Sequence, residues 1–307
     1  MKFYINVSGG LGYNFALARV VTKFGNEHEF YIKSPYWDVF KACPFVKYVY
    51  KAEEARDFLI DAINDEGAKI IQFRLYDLQN FILKRYNYTQ AWCELLGLEY
   101  KDTDDGTSLL DLELNPNEIF IDLPQRTETV LKEVKDKGYS KFILMQFWGG
   151  QSPLSDFKNQ QYSVEAEPLK RAYPVAYAQK FVSLFKEKHP DTAVILYELP
   201  NEPKIEGTLS FEVPYLSYYE LSKMPECVGA VTIDSSLAHI VSGNTKVLTI
   251  WGHSLPQHFG YHGNKNIVQR CNRSDILYFT ELGASGARID YIEPKALMKE
   301  VESFIYK

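Results

Sequence analysis

The sequence predicts an α/β protein made of two Rossmann-like domains facing a cleft, and three observations carry that reading. Short β-rich runs alternate with amphipathic helical runs from the N-terminus onward, as parallel strands joined by crossover helices require. The alternation begins afresh after a polar, Asp-rich stretch at 102–116. The 307 residues are too many for one typical domain and suit two of about 150. The domains are read as 1–135 and 136–307, with a single large α/β domain as the alternative.

Each element has a local reason. Residues 3–7, 29–32, 46–50 and 69–73 are short, β-branched or aromatic runs and read as strands. Helical patterns at about 14–24, 53–64 and 77–96 separate or follow them. In the second half, residues 142–147, 193–197, 228–233 and 247–250 read as buried strands. The run 174–188 is a helix opened by Pro174, a residue suited to a first helical turn. Residues 294–305 close the chain as a helix. The segment 148–169 lacks regular pattern, and long irregular loops in compact domains are functional or disordered.

Composition narrows the function classes. Hydrophobic residues make up 46% and charged residues 24%, which describes a globular chain with ample core. A net charge of −6 supplies no general field for nucleic acid or anionic membrane. Cys43, Cys93, Cys227 and Cys271 lack paired spacing and read as reduced thiols. No apolar run reaches membrane-spanning length and residues 2–7 are a strand, so the expected location is cytoplasmic. Asn87 and Asn272 open glycosylation sequons without other signs of secretion.

The most informative stretch is Thr232-Ile233-Asp234-Ser235-Ser236-Leu237-Ala238-His239. A buried strand breaks into Asp and two Ser, residues that cap helices, and a following helix would aim free N–H groups at an anion such as a diphosphate. The next strand ends in Trp251-Gly252-His253-Ser254, above the carboxyl edge where open α/β sheets bind ligands. An ordinary capped helix is the competing reading. The turn Ser8-Gly9-Gly10-Leu11-Gly12-Tyr13-Asn14 joins the first strand to the first helix. Its glycines permit positive φ and close backbone approach to a ligand. The G-G-x-G spacing does not fit the dinucleotide fingerprint, and no phosphate-loop lysine follows. A tight structural turn is again the alternative. His253, His258 and His262 show no familiar zinc spacing, so no metal site is expected.

Taken together, these residues resemble the GT-B glycosyltransferases, most closely the family 9, heptosyltransferase-like group. The family motif D-S/T-G-x-x-H has its counterpart in Asp234 to His239, and its F-G-x-T-x-P turn in Trp251-Gly252-His253-Ser254-Leu255-Pro256. The family's K-x-W-P is similar to Arg171-Ala172-Tyr173-Pro174, and Gln90 to Leu98 is a weaker echo. The resemblance implies transfer of a sugar from a nucleotide-sugar, a co-substrate, to an acceptor hydroxyl. It implies inversion, no metal and no bound cofactor. The expected acceptor is a surface carbohydrate rather than DNA; oligomeric state is open.

The resemblance also implies roles. Arg171, with Lys170, would clamp the diphosphate, Arg through a bidentate fork. Ser235 and Ser236 would donate to its oxygens. His239 would add a hydrogen bond or serve as packing. Asp234 would fix the loop or hold a sugar or ribose hydroxyl. Trp251 and Gly252 would border the base, with core packing the other option for Trp251. Gly9, Gly10 and Gly12 would face the cleft. The family's catalytic Asp in the first turn is missing, since Tyr13 and Asn14 stand there. An amide takes no proton at neutral pH, and a free tyrosine titrates near 10. Asp77, just beyond a strand end, is the substitute base or else the N-cap of the next helix; Asp156 is a second candidate. Two other functions remain: a viral-type enzyme acting on hydroxymethylated DNA bases, and an inactive nucleotide-sugar-binding protein.

Overall fold

A computed structural model describes residues 1–72, 74–99, 110–114, 120, 122–149, 172–198, 202–252, 254–261, 263–271 and 289–307. The chain divides into two compact units, Met1–Ile121 and Asp122–Lys307. The division falls ahead of the residue-135 boundary because the helix at 123–136 packs with the second unit rather than trailing the first.

In the first unit, β1 (Lys2–Asn6), α1 (Leu11–Phe24), β2 (Glu29–Lys33), α2 (Trp37–Lys41), β3 (Val46–Tyr50), α3 (Ala55–Asn64) and β4 (Lys69–Ile71) follow in turn. A 3₁₀ turn (Leu75–Asp77), α4 (Gln79–Ile82) and α5 (Tyr88–Leu96) complete it. The sheet order is β3-β2-β1-β4, with every pairing parallel. Residues alternate faces along a strand. Phe3, Ile5, Phe30 and Ile32 are buried, as are most apolar residues of the α1 and α5 pair. Tyr4 and Tyr50 turn the other way, onto Phe58 and Ala62 of α3. Their hydroxyls donate to Asp65 and Asp61 at 3.2 and 2.6 Å, so each polar tip at this face is partnered. The single helix expected at 77–96 is interrupted. Lys84 adopts a left-handed φ of 59°, and Asn87 starts α5 with a reciprocal capping box to Gln90. Asn87 is buried, and its side-chain oxygen is committed to that cap.

The second unit contains α6 (Leu123–Asp136), β5 (Lys141–Gln146), α7 (Val175–Lys188), β6 (Thr192–Leu196), β7 (Leu209–Ser210) and α8 (Tyr215–Lys223). β8 (Cys227–Ile233), α9 (Ser236–Val241), β9 (Val247–Trp251), α10 (Pro256–Phe259) and β10 (Lys265–Val268) come next. A small antiparallel pair, β11 (Arg270–Cys271) and β12 (Ile289–Asp290), precedes α11 (Pro294–Phe304). The main sheet runs β10-β9-β8-β5-β6-β7, all parallel. Connections run outward on one side from β5 to β7, then return to β8 and run outward on the other. That reversal between β5 and β8 defines the topological switch point of a Rossmann-type sheet. One face packs Ile143, Met145, Val194, Val231, Ile233, Leu248 and Ile250 against Phe181, Phe185, Leu297 and Val301 of α7 and α11. Burying an aliphatic or aromatic side chain of this size stabilises the fold by about 1.5–3 kcal/mol.

The closing helix α11 is tied down electrostatically as well. Glu302 pairs with Lys188 at 2.7 Å and with His189 at 2.5 Å, and the His189 ring stacks on Tyr306 at 3.8 Å. Burial pushes the Glu302 carboxyl up, but hydrogen bonds from Lys188 and His189 outweigh it and hold the group below its ordinary value of 4.5. A depressed carboxylate pKa adds stability above the unfolded-state value, which is lost as pH falls through the lowered folded value. Glu302→Gln is therefore expected to lower the urea midpoint near neutral pH and to flatten its decline below about pH 4.5, where the wild type begins to lose this contribution. Parallel acid limbs for the two proteins would show that this pair does not govern acid stability.

Candidate functional site

β8 delivers Asp234, Ser235 and Ser236 to the carboxyl edge of the second sheet, beside the switch point. Ser235 is the N-cap of α9 in an extended conformation (φ −152°, ψ 172°), but its side chain makes no cap bond. The Leu237 N–H instead donates to Oε1 of Gln146, the last residue of β5, at 3.3 Å. A neighbouring strand therefore occupies one of the helix N–H groups that the sequence left open for an anion, and α9 is only six residues long. Gly149 lets the loop after β5 meet the loop after β8: a Cβ there would lie 2.9 Å from Ser235 Cβ. Any larger residue would push the two strand ends apart.

Buried polar atoms with no hydrogen-bond partner among the described residues follow neighbouring strands at this edge. Glu198 Oε2 follows β6, Trp148 Nε1 follows β5, Ser235 Oγ follows β8 and Ser254 Oγ follows β9. Those four strands are neighbours in the sheet. The other Glu198 oxygen is fixed by Lys204 and by the Ser210 hydroxyl, which donates at 2.6 Å. Buried polar groups normally find partners, and an unpartnered one costs about 1–3 kcal/mol. A run of them at the carboxyl edge of a parallel sheet makes this edge the candidate site for a polar ligand. Between the ends of β8 and β9 lies a small hollow lined by Ala172, Asp234, Gly252, Ser254, Gln269 and Ile289.

Other residues singled out in the sequence fall inside the molecule. Trp251 is buried, and its indole N–H donates to Asn266 Oδ1 at 2.8 Å, which is the core-packing arrangement. Gly252, next along, borders the hollow. His239 is buried with Nδ1 2.8 Å from the Tyr261 hydroxyl, and the two rings meet edge to face. Lys170, Arg171, Asp156, His253 and His262 lie outside the described residues. Among the described residues no group of His, Cys, Asp and Glu is arranged to hold a metal ion.

The edge of the first sheet is organised by Tyr13 and Asn14. Neither Gly9, Gly10 nor Gly12 has a positive φ, and Gly12 lies within α1, which starts at Leu11. Gly9 is instead a matter of space, since a Cβ there would sit 2.5 Å from the Tyr13 ring, whereas Gly10 faces open space. The Tyr13 hydroxyl accepts from Leu75 N–H at 3.1 Å, and its carbonyl accepts from the Trp92 indole at 3.3 Å. The Asn14 amide donates to the Gly9 and Gly10 carbonyls at 3.1 and 2.9 Å, and its oxygen accepts from the Ser34 hydroxyl at 2.6 Å. Both side chains are buried and brace the turn. Asp77 differs from them. It ends the 3₁₀ turn beyond β4, its side chain is 52% exposed, and it pairs loosely with Arg74 at 3.7 Å. It is not the cap of α4, whose N-cap position is Leu78. β1 and β4 flank the point where this sheet's order reverses, so Asp77 stands at its switch point.

Three solved structures are similar to this chain over nearly its full length. A glycosyl transferase family 9 protein from Veillonella parvula DSM 2008 has a TM-score of 0.68 and 11% identity, over 99% of this chain and 97% of that one. E. coli ADP-heptose LPS heptosyltransferase II gives 0.56 and 12%, over 100% and 99%. The E. coli heptosyltransferase WaaC with ADP gives 0.52 and 8%, over 99% and 97%. This chain has the GT-B glycosyltransferase fold. No family model matches the sequence, and no curated protein matches it either. At such identities the GT-B likeness lies in the path of the backbone. The candidate site therefore rests on this chain's own side chains.

Glu198 and Trp148 escaped sequence reasoning because each follows its strand in a stretch that reads as loop. A workable signal is a polar or indole side chain two residues past a buried parallel strand. The Asn14 brace is testable. Asn14→Ala removes the acceptor of the buried Ser34 hydroxyl and the amide's bonds to the Gly9 and Gly10 carbonyls, and is expected to cost about 1–3 kcal/mol by urea unfolding. An unchanged midpoint would mean that the turn holds without it.

Proposed function

We propose that the protein transfers a sugar from a nucleotide-sugar donor to an acceptor hydroxyl, by an inverting, metal-independent route in the cytoplasm. The observation that carries this reading is the row of desolvated polar atoms at the carboxyl edge of the second sheet, in a fold shared with solved glycosyltransferases. One of these, WaaC, is described with ADP and with ADP-2-deoxy-2-fluoro heptose. An indole N–H and serine hydroxyls donate to phosphate or hydroxyl oxygens, while a carboxylate oxygen accepts from hydroxyls. A ligand carrying both anionic oxygens and hydroxyls answers all of them, and a nucleotide-sugar is such a ligand.

In this reading Arg171 and Lys170 neutralise the charge that develops on the departing nucleoside diphosphate. Ser235 and Ser236 hydrogen-bond its oxygens. Asp234 holds a hydroxyl of the donor. His239, oriented by Tyr261, supports the α9 end of the site. Asp77 takes the proton from the acceptor hydroxyl as that oxygen attacks the anomeric carbon from the face opposite the leaving group. Tyr13 and Asn14 position the segment that carries Asp77, through the Tyr13 bond to Leu75 and the Asn14 bonds to the turn. The acceptor is a carbohydrate, since a chain of net charge −6 offers no general attraction to DNA.

The reading is tested by thermal-shift measurements with ADP, GDP, UDP and CMP and their sugar conjugates. A ligand at about 100 times its Kd adds about 2.7 kcal/mol to the native state, so the donor is expected to raise the midpoint by several degrees. The absence of any shift across the panel would overturn the reading. With the donor in hand, Asp77→Asn is expected to lower kcat by about 10²–10⁴-fold while leaving donor affinity unchanged. Normal turnover in that variant removes Asp77 as the base.

A further inference from the structure

We propose that Ser254 is a donor-recognition residue: its hydroxyl and the Asp234 carboxylate together hold one hydroxyl group of the nucleotide-sugar inside the hollow between β8 and β9. The inference rests on the donor-site reading above and adds to it the residue and the chemical group it selects. Ser254 is 3% exposed, and its Oγ has no hydrogen-bond partner among the described residues. It lines the hollow together with Asp234, Gly252 and Gln269. The accessible space matches a single water or hydroxyl group and admits neither a nucleobase nor a phosphate.

The lining selects among small polar groups. A hydroxyl donates and accepts at once, so it gives its proton to Asp234 and receives one from Ser254. A phosphate oxygen only accepts, and the Asp234 carboxylate repels it. Gln269 supplies a further donor: the Ile292 N–H donates to its Oε1 at 2.8 Å, which leaves the amide nitrogen for the Gly252 side of the hollow. Gly252 keeps the space open, because a Cβ there would lie 3.0 Å from Ile289 Cδ1. The hydroxyl belongs either to the ribose or to the transferred sugar.

The experiment uses the full chain as wild type, Ser254→Ala and Ser254→Thr. Titration calorimetry compares ADP, GDP, UDP and CMP, their sugar conjugates and the corresponding 2′-deoxynucleotides. Ser254→Ala is expected to bind about tenfold more weakly and Ser254→Thr to recover most of the loss. A deficit seen with the bare nucleotide, and absent for its deoxy form, assigns the group to ribose. A deficit confined to the conjugates assigns it to the sugar. Equal binding by Ser254→Ala and wild type overturns the proposal and leaves the donor reading standing; no binding of any probe to wild type overturns both. Because the serine hydroxyl has no partner among the described residues, Ser254→Ala is expected to unfold at no lower temperature than wild type. A destabilised Ala variant would show that the hydroxyl is structural and would also overturn the proposal. Gly252→Ala, which narrows the hollow from the other side, is expected to weaken binding of the same probes.

Discussion

Parallel strands covered on both faces leave polar chemistry only one outlet, the loops at their carboxyl ends. Everything specific about the second unit follows from that. Its central strands are apolar and bury their side chains under α7 and α11 on one face. Polar side chains appear where β5, β6, β8 and β9 stop: Trp148, Glu198, Asp234 with Ser235, and Ser254. Hydrogen bonding there is partly committed within the protein, as the Gln146 bond to Leu237 and the clasp of Lys204 and Ser210 on Glu198 show.

The first unit treats the same edge differently. Its opening turn is filled by the molecule's own contacts, with Tyr13 bonded to Leu75 and packed on Trp92, and Asn14 bonded to two turn carbonyls and to Ser34. Residue types that cannot act as a base at neutral pH thus have a physical reason to be there, because they fasten the turn to the segments beyond β2 and β4. An exposed carboxylate of this edge lies one strand over, at Asp77.

Much of this was legible in the amino-acid pattern because parallel strands write themselves as short apolar runs between turn residues. β1 to β3, β8 and β9 lie within a residue or two of where that pattern puts them. Periodicity failed at 77–96, where the apolar spacing continues through a break enforced by the Lys84 conformation and the Asn87 cap. It failed again at Gly12, since glycine in a first helical turn looks no different from glycine in a loop. Trp251 illustrates a deeper limit. A strand-end tryptophan points either toward a ligand or into the core, and only the partner at Asn266, fifteen positions on, decides. Glu198 and Trp148 needed the sheet order itself, because their kinship with Ser235 and Ser254 is spatial.

The strand order has one more consequence. Among the described residues β3 is the outer strand of its sheet and exposes Tyr48, so its outer edge is where a strand from another copy of the chain would add on. Lys41 lies over the Tyr48 ring at 5.6 Å, and Lys51, just past the strand, lies over Trp37 at 5.1 Å. Cations set along an exposed edge bring like charges together whenever two such edges approach, a common guard against fibrous self-association. Lys41 and Lys51 thus act against strand addition here, and replacing them with neutral residues would remove that guard.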